Sequence, residues 1–408
     1  MQGDVVMNNV PSIRFNLFTD EWKIKLLKQV VNSITTGKLD ANASKIHGKY
    51  KFFTCAKEDF LTDTYSFEGD AVIINGNGEL GITKSYSGKF DAYQRTYVLM
   101  DFNEDYKYLS YAIPVYLPER IRTEAIGGAM PYIKIDTLND LKIMIPSIDE
   151  QNQIANFMLN LNMLLNNSKD ELLKYMKIKE TMLAKMFPKI QSNVPEIRFN
   201  NFNEHWNSAV FGDIFDKLSN NSFSRDLLNY KKGTFKNIHY GDILTKFGFT
   251  INSSSKIVPY VNDNVTTTQK KNDYLKTGDC IFADTAEDTT AGKMVEIIND
   301  DGVRLLSGLH TFACRPKIEF EIGYLGIYLN SDNFHDQLIP YMQGTKVTGF
   351  NYDFLSRTIV KFPSIEEQKK IVSFFENLQE IIDNLDKEIQ IISNLINSLS
   401  DKMFAKEE

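Results

Sequence analysis

Cysteine is scarce. Cys55, Cys280 and Cys314 are odd in number and widely spaced, with no C-x-x-C pair. A disulfide framework and a structural zinc site therefore both lack their ligands, and a reduced, cytoplasmic setting is expected. The histidines, His47, His205, His239, His310 and His335, show no i, i+3 or i+4 pairing, so no histidine-built metal centre is expected. Long hydrophobic runs are missing too. No stretch reaches the about 18 apolar residues of a membrane-spanning helix. Met1 to Asn9 has neither a basic n-region nor an apolar h-region, so no signal peptide is expected. The chain has no H-E-x-x-H, G-x-S-x-G or Walker G-x-x-x-x-G-K-[ST] motif, no N/D-P-P-Y/F of the amino-methyltransferases, and no convincing acidic-x-Lys nuclease pattern. Catalysis by this chain alone has little support. Positive charge is not in excess either: the net charge is −7 and the pI near 5.5. That excludes a basic coat gripping nucleic acid along its whole length, but not local patches acting within ~8–10 Å.

What is present is bulk and repetition. The 408 residues are 42% hydrophobic and 12% aromatic, enough for two to three domains with cores of their own. Asn9 to Trp22 reads NVPSIRFNLFTDEW, and Asn193 to Trp206 reads NVPEIRFNNFNEHW; nine of these 14 positions are identical at an offset of 184. The only two tryptophans hold the same repeat position. A second block repeats at offset 217, from Pro146-Ser-Ile-Asp-Glu-Gln151 against Pro363-Ser-Ile-Glu-Glu-Gln368 to Lys185-Met-Phe187 against Lys402-Met-Phe404. Gly69-Asp70 parallels Gly278-Asp279 at offset 209. The second copy therefore carries 25 extra residues before its Gly-Asp (209 less 184) and eight more after it (217 less 209). Alike at their ends and different in the middle, the copies suggest one scaffold presenting two divergent modules.

The second block is apolar at Ile371, Phe375, Leu378, Ile382, Leu385, Ile389, Ile392, Ile396, Leu399 and Met403. Spacings alternating four and three make a heptad seam. The first block places Ile154, Met158, Leu161, Leu165, Ser168, Leu172, Tyr175, Lys179, Met182 and Met186 at the matching positions, with Ser168 and Lys179 as weak points. Ser364, with Glu367 three residues on, suggests a capping box. Each block predicts a helix of nearly 40 residues, roughly 55–60 Å long. Each exposes an apolar stripe, and the obvious partner for each is the other. Connectivity makes them antiparallel, with a module at each end and a pseudo-twofold axis. By the repeat, Asn9 should lie near the end of the second helix at Phe404.

The modules read as α+β. Asp70–Ile74, Thr96–Met100, Lys142–Ile145, Asp279–Ala283, His310–Cys314 and Thr358–Phe362 read as strands, and Tyr324 to Leu338 as short helices. Gly76-Asn-Gly-Glu-Leu-Gly81 is formally G-x-G-x-x-G. A dinucleotide site needs a helix opening directly after the glycines, whereas Ile82 to Gly88 is strand and turn chemistry, so a hairpin loop is expected. Asp284, Glu287 and Asp288 read as a solvated carboxylate loop. Basic and amide-rich stretches run over Lys45–Lys51, Lys84–Arg95, Lys231–Lys236 and Gln269–Lys271. Lys and Arg suit phosphates and guanine edges, Asn and Gln adenine edges.

The I-R-F-x-x-F-x-x-x-W openings, the Gly-Asp strands followed by glycine-containing loops and the P-S-I-[DE]-E-Q helix starts occur in this order twice. Over residues 9–406 the chain resembles the specificity subunit (HsdS) of type I restriction-modification enzymes. The resemblance implies two target-recognition domains, each reading half of a bipartite target in double-stranded DNA. It implies spacer helices docking two modification subunits (HsdM) and restriction subunits (HsdR), with no membrane partner. S-adenosylmethionine, ATP and magnesium would belong to those partners; no cofactor or metal is expected on this chain, which would supply address and not chemistry. A methyltransferase or endonuclease fragment acting directly is the alternative, disfavoured by the missing motifs.

The expected layout is residues 1–145 as first recognition domain, 146–190 as first spacer helix, 191–362 as second recognition domain and 363–408 as second spacer helix. The helix seam is expected from Ile154, Leu161, Leu165 and Leu172 against Ile371, Leu378, Ile382, Leu385, Ile389, Ile392 and Ile396. Lys84, Gln94 and Arg95 in the first module, and Lys232, Lys271 and Arg304 in the second, are the candidate DNA contacts, placed in turn-rich segments between strands.

Overall fold

The computed structural model describes residues 10–56, 58–124, 132–267, 269–344 and 347–405; Asn9, which starts the first repeat, lies outside them. Packing divides the chain into two units, one made of residues up to Asp170 and from Asp386 onward, the other of Glu171–Leu385. Both are α+β, and each takes part of both long helices, Ile148–Lys185 and Ile365–Lys402. The helices begin with Asp149 and Glu150, or Glu366 and Glu367, and end with Lys185 or Lys402, charges that complement the helix dipole.

Within the first unit, Ile154 and Met158 of the first long helix share a core with Ile396, Leu399, Met403 and Phe404. Ser168 Oγ lies 3.2 Å from Glu388 Oε1. Within the second unit, Met182 and Phe187 pack with Ile371 and Phe375, and Lys179 Nζ donates to Gln379 Oε1. In each unit the helix segments thus run antiparallel. Of the seam residues, Ile154, Ile371, Leu378 and Ile392 are buried; Leu161, Leu165, Leu172, Ile382, Leu385, Ile389 and Ile396 are half-buried. Ser168 and Lys179 join the seam through polar contacts across the helices. Burial lowers the Lys179 pKa, opposed by Asp383, and its ammonium sits 4.6 Å from the Phe249 ring centroid.

The repeated motifs build the same frame in both units. In the first, Arg14 Nε and Nη2 donate to the two oxygens of Glu150, each at 2.8 Å. In the second, Arg198 grips Glu367 at 2.8 and 2.7 Å. This corrects the expected capping box: Glu367 turns to Arg198, and the helix start is closed by Glu367 and Gln368 N–H donating to the Ser364 carbonyl at 3.0 Å. Gln151 Nε2 donates to Pro146 O, and Gln368 Nε2 to Pro363 O, both at 3.0 Å. Buried Tyr108 donates to Met144 O at 2.6 Å, and Tyr324 to Lys361 O at 3.0 Å. Chain entry is also shared. Ile13 N–H donates to Lys402 O at 2.9 Å, and Ile197 N–H to Lys185 O at 3.0 Å. The opening repeat therefore meets the end of the second long helix, the neighbourhood expected for the chain termini.

From each frame rises a sheet. In the first unit the spatial order is Val31–Thr36, Thr96–Phe102, Phe67–Asn75, Thr83–Ala92, Tyr50–Phe53 and Phe60–Thr62. In the second it is Phe215–Leu218, Thr311–Pro316, Cys280–Ala283, Met294–Asn299 and Thr250–Asn252. The first five strands correspond one to one, down to the parallel pairing of the fourth with the fifth. Each strand expected from the sequence overlaps an observed one. The second unit adds a four-stranded sheet, ordered Leu228–Asn229, Tyr260–Val261, Lys236–Ile238, Leu305–Ser307, and a ribbon of Thr285–Ala286 with Thr348–Gly349. These additions lie in the segments where the second copy is longer. Buried Glu296 fastens the short helix Tyr324–Tyr328 to its sheet by accepting the N–H groups of Gly323 (2.9 Å) and Gly326 (2.6 Å). Burial pushes its pKa up to about 7 against those bonds.

The buried Arg–Glu pair makes a testable demand. With the Glu367 side chain only 2% exposed, Arg198→Ala leaves a buried carboxylate without its cation and should cost about 3–5 kcal/mol in urea unfolding. The double substitution R198M/E367L should lose markedly less. Equal losses would show that the pair, as a charge pair, does not hold the frame.

Candidate nucleic-acid interface

Each sheet has one end at the frame and a free end. In the first unit Val31 pairs with Phe102 beside the frame, and Thr36 with Tyr97 at the free end. There the turn linking Thr83–Ala92 to Thr96–Phe102, two strands that flank Phe67–Asn75 on either side, is closed by Thr96 N–H on Tyr93 O at 2.8 Å. Its backbone is pinned from three sides: Gln94 N–H donates to Leu39 O (3.0 Å), and Arg95 O accepts from Gly76 N–H (3.0 Å) and Cys55 Sγ (3.3 Å). A β-carbon on Gly76 would lie 2.4 Å from Arg95 O, so only glycine permits this approach. Pinned backbone and exposed Gln94 and Arg95 side chains make a rigid presenting turn. Gly76 to Gly81 forms the neighbouring hairpin loop, with Gly78 and Gly81 in the left-handed region. Strand, not helix, follows it.

Lys84 is placed differently from the expectation. It lies within the strand Thr83–Ala92, 2.8 Å from Asp59, with its side chain only 20% exposed. The basic stretch around Lys236 is also corrected, because Lys236 is buried and its ammonium donates to Ser253 O (2.9 Å) and Ser255 O (2.8 Å). Buried Gln269 likewise serves the fold, donating to Ser219 O at 2.7 Å.

Lys232 and Arg304 are exposed in irregular loops, and Lys271 is exposed at the start of the short 3-10 helix Lys271–Asp273. Lys236 N–H donates to Arg304 O (2.9 Å), and Leu275 N–H to Leu305 O (2.8 Å). These bonds draw the three segments to the end of the added four-stranded sheet where its parallel strands Lys236–Ile238 and Leu305–Ser307 begin. Arg304 lies 5.7 Å from the Phe235 ring centroid.

At the other end of those strands sits a group not expected from sequence. His239 and Tyr240 follow one strand, and His310 follows the other. The Tyr240 ring is 4.7 Å from His239 and 5.3 Å, edge-on, from His310. Arg225 Nη1 and Lys246 Nζ bind buried Asp242 at 2.6 and 2.9 Å. His239 Nδ1 accepts the Gly241 N–H at 3.2 Å, and burial, then Arg225, lowers its pKa. Asp284, from the carboxylate loop, bonds His310 at 3.2 Å; burial raises its pKa and His310 opposes the rise. Glu287 and Asp288 remain exposed. Among the described residues no group of carboxylates, histidines and cysteines could hold a metal ion, and no helix is long and apolar enough to cross a membrane.

Comparison with known proteins shows the family to which the chain belongs. The type I restriction modification DNA specificity domain family matches residues 19–175 and again 203–394. The specificity subunit of the Escherichia coli type I restriction enzyme EcoDI is 37% identical over 135 residues, 33% of this chain and 30% of that protein. A type I specificity subunit of Mycoplasma pneumoniae is 28% identical over 136 residues, 32% of this chain and 37% of that protein. The chain thus spans about a third of the length of these curated relatives (30% and 37%). Among solved structures, the S subunit of a type I system from M. genitalium matches with a TM-score of 0.61 at 15% identity, covering 98% of this chain and all of that one. A chain from a study of type I complex assembly matches at 0.55 and 14% identity, over 95% of this chain and 98% of that one. At such identities the structural likeness concerns the fold.

The two placements separate Arg95 from Lys84. Arg95→Ala should lower duplex DNA affinity and reduce the salt slope of binding by about one counterion. Lys84→Ala, whose charge Asp59 already meets, should leave the slope unchanged. The check is a fluorescence titration between low and physiological salt; equal slopes for the two variants would remove Arg95 from the interface.

Proposed function

Because this chain belongs to the type I restriction modification DNA specificity family and carries its domain twice, we propose that it is the sequence-reading subunit of a type I restriction-modification complex. Each unit reads one half of a two-part DNA target through the loops at the free end of its sheet. The observation that carries this reading is the pairing of frames built on the same Arg–Glu pair with different free ends. Arg14–Glu150 and Arg198–Glu367 hold the same scaffold, while the exposed turn at Gln94-Arg95 and the cluster at Tyr240 and His310 share no chemistry. Two readers of one target half would not need to differ.

The chemistry belongs to partners. Modification subunits would bring S-adenosylmethionine, and restriction subunits ATP and magnesium. Exposed apolar side chains on the long helices suit such docking. In the first unit these are Leu159, Met163, Leu164, Ile391 and Leu395, with Met163 54% and Ile391 66% exposed; in the second they are Leu173, Met176 and Ile381. Apolar groups in rows on a helix favour burial against another helix.

Exchange of residues 9–141 for another first module should change one half of the methylated sequence and leave the other intact, as read by sequencing of adenine methylation in a host. A change in both halves would sink the two-reader proposal. Docking is tested separately. Met163→Asp, on an already exposed side chain, should leave the helical circular dichroism unchanged and raise the Kd for the modification subunit about tenfold or more. An unchanged Kd would move the docking surface elsewhere.

A further inference from the structure

His310 combines three features that its fold does not require. Its backbone has a φ of +54°, a left-handed conformation that residues with a β-carbon adopt at a cost and that gathers at functional positions. Its side chain is 50% exposed at the free end of the second unit. Yet it is held in place: Asp284 Oδ1 lies 3.2 Å from Nδ1, Asp284 N–H donates to His310 O at 3.1 Å, and Tyr240 stands edge-on to the ring. Strand register fixes the position as well, since Ala283 pairs with Thr311, the next residue.

The chemistry follows from Asp284. An ionised carboxylate only accepts, so the proton of this bond sits on Nδ1, and in that tautomer Nε2 keeps a lone pair. A fixed acceptor in the major groove meets a donor only at an exocyclic amino group, N4 of cytosine or N6 of adenine. Against guanine O6 or thymine O4 it faces a second acceptor. We propose that His310 is a specificity-determining residue of the second unit, its Nε2 accepting a hydrogen bond from the amino group of one cytosine or adenine, with Asp284 as the positioning residue that sets its tautomer. The inference rests on the reading of the free ends as DNA-reading surfaces.

The test uses the full chain assembled with its modification partner, with the methylated sequence as readout. His310→Asn tolerates the left-handed backbone but falls short of the base. It should relax discrimination at one base pair of one half-site by about fivefold to tenfold, the low end for a base contact, with the other half-site unaltered. Asp284→Ala, which frees the tautomer, should relax the same position. His310→Arg, a pure donor, should turn that position toward guanine. An unchanged motif in these variants overturns the inference, as does even weakening of both half-sites. Loss of all methylation by both His310→Asn and Asp284→Ala in complexes that still assemble also overturns it, since the cluster would then be structural. A wild-type complex that methylates no two-part sequence would instead refute the proposed function.

Discussion

The structure depends on one buried ion pair made twice. Arg14 with Glu150, and Arg198 with Glu367, join the chain's entry into each unit to the start of a long helix. A carboxylate this deeply buried is tolerable only when charge-paired and hydrogen-bonded, and the arginine fork meets both oxygens at once. Once entry and helix start are locked, the neighbouring bonds close around them. The Gln side chain bridges the turn before the helix, the Tyr hydroxyl meets the last strand, and the tryptophan fills the space between. The fit is not identical. Trp22 Nε1 donates to Glu150 Oε2 at 3.2 Å, whereas Trp206 Nε1 is buried without a hydrogen-bond partner among the described residues. The second frame therefore rests more on its aromatic packing, where Trp206 meets both Phe187 and Tyr324.

This constraint explains what the sequence made legible. Residues of the frame must keep their identity, because a shorter cation or a smaller ring breaks several contacts at once; these are the positions at which the two copies still spell the same words. The long helices were legible for another reason, since their apolar spacing is local. The sheets were half legible. Individual strands stand out by composition, but the five-strand order common to both units arises from pairings far apart in sequence, and almost no side chain in it is shared. Cys280 faces Cys314 where Ala71 occupies the matching strand position beside its Gly-Asp. Backbone pairing preserved the order while side chains drifted.

The candidate site was less legible, and the misreadings have physical causes. A lysine in a sequence carries no record of its partner. Lys84 reads as a free cation until the fold brings Asp59 beside it, and Lys236 as part of a surface patch until Ser253 and Ser255 turn their carbonyls toward it. Histidine spacing in the sequence speaks only to metal ligation. His310 draws its partners from 26 residues upstream, at Asp284, and from Tyr240, so spacing says nothing about it. The available signal was positional: His310 directly precedes a strand whose Gly-Asp partner repeats between the copies.

The same physics divides what such a chain can change from what it must keep. Side chains at the free ends, such as Gln94, Arg95 and His310, are exposed, and substitutions on exposed surface usually shift stability by no more than about 0.5 kcal/mol. Breaking a buried pair costs several times that, a large share of the marginal stability of a domain. Backbone pinning at the first free end sharpens the contrast. The turn at Gln94-Arg95 is fixed by main-chain bonds to Leu39 and Gly76, which persist whatever side chains the turn carries. Side-chain chemistry at such a turn can be rewritten without unfolding the unit that presents it. The second unit shows the further step, in which an added four-stranded sheet brings new surface while the Arg198–Glu367 pair is kept.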